Sequence, residues 1–89
     1  MVPPTPPTKA ELGAAIRRLR LGAGLTLEEL AAAADMHVTY LSGIERGKNN
    51  PSWTKLAGVA AGLGLSVSAI VDAAQDEAAG RDQQPAAQR

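Results

Sequence analysis

An all-α fold of five short helices is predicted by three features of the sequence. Alanine and leucine dominate while β-branched residues are sparse, which favours helix by propensity. Apolar residues recur at spacings of three and four, and no alternating strand pattern competes. Glycines and capping residues break the periodic stretches at four interior points. At 89 residues the chain holds one domain. A domain of that size buries only about 60% of its unfolded surface, so the core is thin. It must be built from Leu, Ile, Val and Ala, since Phe is absent and Trp53 and Tyr40 are the lone aromatics.

The first helix is predicted over about Lys9 to Ala23, with Leu12, Ile16 and Leu19 on one face and Gly24 ending it. The second opens at Thr26, where Thr26-Leu27-Glu28-Glu29 reads as a capping box. Leu27, Leu30, Ala31 and Ala34 follow at helical spacing, and Asp35-Met36-His37 makes a tight turn. The third helix runs from about Val38 to Arg46, with Leu41 and Ile44 inward and Gly47 as the stop. Lys48-Asn49-Asn50-Pro51 is a loop, and Ser52 caps a fourth helix from Trp53 to Leu63, ended by Gly64. Ser66 caps the fifth, with Val67, Ile70 and Val71 apolar. Trp53 is expected to pack in the core, with an exposed interface anchor as the other reading.

Three segments follow: a proline-rich flexible arm (residues 1–8), a helical domain (9–74) and a polar tail (75–89). The arm carries four prolines, which favour extended polyproline II. From Ala78 onward the tail lacks large apolar residues and is expected to be disordered.

Composition restricts function. There are no cysteines and one histidine, His37, so no zinc site, other metal site or cofactor is expected. No nucleophile-elbow pattern or catalytic set is present, and no enzyme activity is expected. Glu28 and Glu29, adjacent on a helix, point in different directions and are not a catalytic pair. The N-terminus is not a signal peptide and no run is long enough to span a membrane, which suits a cytoplasmic protein. Formal net charge is zero and the sequence pI is about 6.6. Yet Arg17, Arg18 and Arg20 cluster, as do Arg46 and Lys48.

Two short helices joined by a three- or four-residue turn, Leu27–Ala34 and Val38–Arg46, form a helix-turn-helix pattern. The second is short and polar, with small outward residues that permit close approach to another surface. Asp35 lies where the chain reverses, and Asp tolerates the left-handed region better than most side chains. The stretches LGAAIRRLRLGAGLTLEELAAAADM, HVTYLSGIERGKNNPS and KLAGVAAGLGLSVSAIV cover Leu12 to Val71, about two-thirds of the chain. Together they resemble the Cro and lambda-repressor-like, or Xre-type, helix-turn-helix family, most specifically in YLSGIERGKNNPS.

The resemblance implies a compact five-helix repressor-like domain in a bacterial or phage cytoplasm, on the nucleoid when bound to DNA. It implies a sequence-specific transcriptional regulator, a repressor in particular, that reads the major groove with its third helix. His37, Val38, Thr39, Ser42 and Gly43 fall where the family contacts base edges. Arg46, Lys48, Asn49 and Asn50 fall where the family contacts the DNA backbone; from their own placement Arg17, otherwise on a solvated face, and Tyr40, otherwise half-buried with its hydroxyl at the surface, are further candidates for phosphate contact. Arg20 and Glu45 fall where the family makes a partly buried structural ion pair. The apolar fifth helix has two readings, closing the core alone or also offering a face to a second copy as family members do; such a homodimer implies a near-palindromic double-stranded operator. Four positions depart from the pattern: Leu27 replaces a phosphate-binding Gln, Asp35 a turn Gly, His37 a Ser or Thr cap, and Gly43 a long polar residue. Thr39 and Ser42 supply single hydrogen bonds and Val38 an apolar contact, so modest base discrimination is expected. A protein-interaction adaptor, or an antitoxin-like partner protein with the same fold, is the alternative function.

Overall fold

The computed structural model describes residues 6–82, and among them it shows five helices and no strand. They are α1 (Lys9–Gly22), α2 (Leu27–Ala33), α3 (Val38–Glu45), α4 (Trp53–Leu63) and α5 (Val67–Asp82). Among them no single helix is long and apolar enough to cross a membrane.

Each start has a local cause. At Thr26 both halves of the capping box are made: Glu29 N–H donates to Thr26 Oγ1 at 3.0 Å, and Thr26 N–H to Glu29 Oε1 at 2.8 Å. Thr8 and Glu11 repeat the device at α1, at 3.2 and 2.9 Å. Thr8 is therefore part of the start of α1, not of a free arm; residues 1–5 of the expected arm lie outside the described residues. Ser52 and Ser66 accept from the backbone N–H of Lys55 and Ala69.

Ile16, Leu30, Leu41, Ile44, Val59 and Ile70 are completely buried, so every helix contributes a large aliphatic side chain to one core. Each contributes about 1.5–3 kcal/mol by burial. α1 lies against α5 and α3, while α2 lies against α4 and α3. The α1–α3 approach is close. A Cβ on Gly13 would collide with the backbone carbonyl of Ile44 and come within 2.8 Å of that of Glu45.

α5 does not stop at the predicted domain boundary after residue 74; it runs to Asp82, which corrects the expected start of the tail. Ala73, Ala74 and Ala78 are buried, and Ala73 and Ala74 pack with fully buried Ala15 of α1. Arg18 Nε donates to Glu77 Oε1 at 3.1 Å across the same seam. Small side chains give helix pairs a close contact without producing an apolar run, so the tail's sequence reads as unstructured. Residues 83–89 lie outside the described residues.

Candidate nucleic-acid interface

The α2–α3 reversal is held by backbone. Asp35 N–H donates to Ala32 O at 3.2 Å and Met36 N–H to Ala31 O at 2.9 Å. Asp35 takes φ 55°, the one non-glycine residue in the left-handed region among the described residues. His37 then opens α3 in an extended conformation, and its exposed side chain makes no capping bond.

α3 buries Leu41, Ile44 and Glu45, which turns the opposite stripe outward. On that stripe Thr39 and Arg46 are exposed and Ser42 is half-buried. Val38 and Tyr40 are half-buried and pack at the edge of the core. Arg46 Nε donates to Ser42 O at 3.3 Å, so the guanidinium leans back along the helix. Lys48, Asn50 and, on α1, Arg17 are exposed, whereas Arg18 is engaged with Glu77.

Gly43 departs from its expected role as an open base-contacting position. It is buried, because the Asn49 side chain lies across it, with Asn49 Nδ2 donating to Tyr40 O at 3.4 Å. The sequence gives no local signal for this, since it depends on how the loop after α3 folds back. Trp53 is also corrected. It is 71% exposed, because the first turn of α4 projects past the core that Val59 and Ala60 enter one to two turns later.

Behind the stripe, Arg20 and Glu45 are buried and tie α1 to the last turn of α3. Arg20 Nε lies 2.7 Å from Glu45 Oε2, Nη2 lies 2.9 Å from Oε1, and Nη1 donates to Leu25 O at 2.9 Å. The Glu45 hydrogen bonds hold the Arg20 guanidinium above its ordinary pKa despite the opposing effect of burial. Among the described residues no three His, Cys, Asp or Glu side chains converge to hold a metal ion. A shallow groove of about 220 Å³ between residues 7–12 and the α4–α5 pair is smaller than ordinary small-molecule sites.

An all-α domain whose second and third helices are joined by a tight reversal, with the third presenting an open stripe, defines the helix-turn-helix class. The chain belongs to the helix-turn-helix domain family, whose model matches residues 11–71. It is 38% identical over 68 residues to the HTH-type transcriptional regulator DdrOP3 of Deinococcus deserti, covering 73% of this chain and 53% of that one. It is 43% identical over 60 residues to the immunity repressor protein of Bacillus phage phi105, covering 67% and 42%. The chain thus spans about half the length of these curated relatives. The crystal structure of the clp gene regulator ClgR from Corynebacterium glutamicum superimposes with a TM-score of 0.80 at 39% identity, over 83% of this chain and 79% of that one.

Proposed function

We propose that this protein is a sequence-specific, cytoplasmic DNA-binding transcriptional regulator, acting as a repressor, that lays α3 in the major groove. The observation that carries the reading is the outward stripe of α3, where His37 and Thr39 are open and Ser42 is partly so, with exposed Arg46, Lys48 and Asn50 directly after it. Base edges meet His37, Val38, Thr39 and Ser42, while Arg17, Tyr40, Arg46, Lys48 and Asn50 meet the sugar-phosphate backbone. Regulators and repressors among the relatives support the same assignment.

Two copies act together on a near-palindromic site. Leu65, just before α5, and Val71, in its second turn, are 38% and 39% exposed, large apolar side chains suited to a two-fold mate. That arrangement would place the two α3 helices about 34 Å apart, one turn of DNA. Two of the positions that depart from the family pattern are not open contact positions: Leu27 packs against the core and Gly43 lies under Asn49.

The test is binding to mixed-sequence DNA over a salt series, followed by selection from random DNA. Affinity should fall by about 0.9 log units per phosphate contact for each log unit of salt. Lys48→Ala should weaken all sequences alike and shallow that slope by about one contact. No complex at low salt would remove the reading.

A further inference from the structure

Position 43 faces outward on α3. At 100° per residue it lies about 40° around the helix from exposed Thr39 and away from buried Ile44. The residue there has no side chain, and the space one would occupy is filled by Asn49. A Cβ on Gly43 would collide with Asn49 Nδ2 and lie 2.9 Å from Asn49 Cγ. The backbone fixes this placement: after Gly47 turns at φ 75°, the N–H groups of Lys48 and Asn49 both donate to Gly43 O, at 2.8 and 3.2 Å.

The carboxamide is therefore mounted on the outward face of α3 by a residue that is not part of α3. Asn49 is half-buried as a residue. Tyr40 O takes one of its two N–H groups. Among the described residues no partner engages the second N–H or Oδ1. A donor and an acceptor side by side match the N7 and N6 groups that adenine shows in the major groove. Thr39, Ser42 and Val38 cannot offer that two-point pattern.

We propose that Asn49 is a specificity-determining residue of the α3 surface, its carboxamide seated over Gly43 so as to read an adenine edge. This rests on the DNA-binding reading and deepens it. The experiment uses the full chain and its selected site, titrated against every single base-pair variant. The wild type should prefer A·T at one position per half-site by about tenfold. Asn49→Ala should abolish that preference there and leave the other positions unchanged. Gly43→Ala should do the same, because its methyl displaces the end of a flexible side chain and leaves the backbone untouched. Its helix content and melting temperature should not fall. In the Asn49→Ala background, adding Gly43→Ala should change nothing further. Uniform weakening at every site by Asn49→Ala, with a shallower salt slope, would make Asn49 a backbone contact and overturn the proposal. Unaltered base preference in Gly43→Ala would overturn it as well. A wild-type chain that binds no DNA would remove the underlying reading too, so the two failures are distinct.

Discussion

Arg20 of α1 and Glu45 of α3 meet in a two-pronged ion pair, 2.7 and 2.9 Å long, whose side chains are 10% and 4% exposed. Both charges have left water, so each depends on the other. Glu45→Gln strands the guanidinium and should cost about 3–5 kcal/mol. Domain stabilities are about 5–15 kcal/mol, so the variant should lose a large share of its stability and unfold at clearly lower urea than wild type. Replacing both partners with apolar residues, Arg20→Met with Glu45→Leu, should cost much less. Urea unfolding checks both, and a loss under about 1 kcal/mol for Glu45→Gln would show that the pair behaves like a surface one. The raised Arg20 pKa predicts no pH effect near neutrality: its contribution is complete below the ordinary arginine value and fades only as pH rises through the still higher folded value.

Asp35 holds φ 55° in the reversal between α2 and α3. A side chain in that region costs about 1–2 kcal/mol, less for Asp than for most, and glycine avoids the clash. Asp35→Gly should raise stability by up to about 1 kcal/mol, while Asp35→Val should lower it by at least that much. Thermal unfolding of the two variants against wild type decides it. Equal midpoints would mean that the turn is not strained.

The Thr26 amide donates to the Glu29 carboxylate at 2.8 Å, and this bond, with that of the Thr26 hydroxyl, holds the Glu29 pKa below its ordinary 4.5. A folded pKa below the unfolded one stabilises above the ordinary value and is lost as pH falls through the folded value. Glu29→Gln keeps an acceptor for the cap but cannot titrate. The stability difference between wild type and Glu29→Gln should therefore be flat above about pH 5.5 and shift against wild type as pH drops below 4.5. Parallel denaturation curves down to pH 3 would refute this.

What the sequence reveals here is what is local. The capping box at Thr26, the stops at Gly24 and Gly64 and the bounds of α4 follow from neighbouring residues, and the helix order follows from them. Three features depend on distant residues and left no local trace. Ala78 looks like part of a polar tail, but α5 runs on past Ala73 and Ala74, which pack against Ala15 of α1, and buries it. Gly43 looks like a gap on the α3 face until Asn49 returns from the loop to fill it. Trp53 looks like a core aromatic because its spacing to Leu56 is helical, but periodicity does not say how far along α4 the core reaches. The cap at Thr8 is different: Thr8-Lys9-Ala10-Glu11 states it plainly, and the neighbouring prolines drew it into the arm.

Gly13 sets how closely α1 can approach α3. Its Cα faces two backbone carbonyls, those of Ile44 and Glu45, and neither can rotate aside as a side chain would. Gly13→Ala gains helix propensity of about 1 kcal/mol, yet it forces the helices apart at the point where Arg20 reaches Glu45. Overpacking of this kind costs about 1–3 kcal/mol, and stretching the buried pair adds to that, so the net change should be a loss. Gly43→Ala, which meets only the end of Asn49, provides the control with the same propensity gain and no backbone clash. Chemical denaturation should rank Gly43→Ala above Gly13→Ala in stability. The reverse order would mean that α1 and α3 can separate without penalty, and that the spacing set by Gly13 does not hold the recognition helix in place.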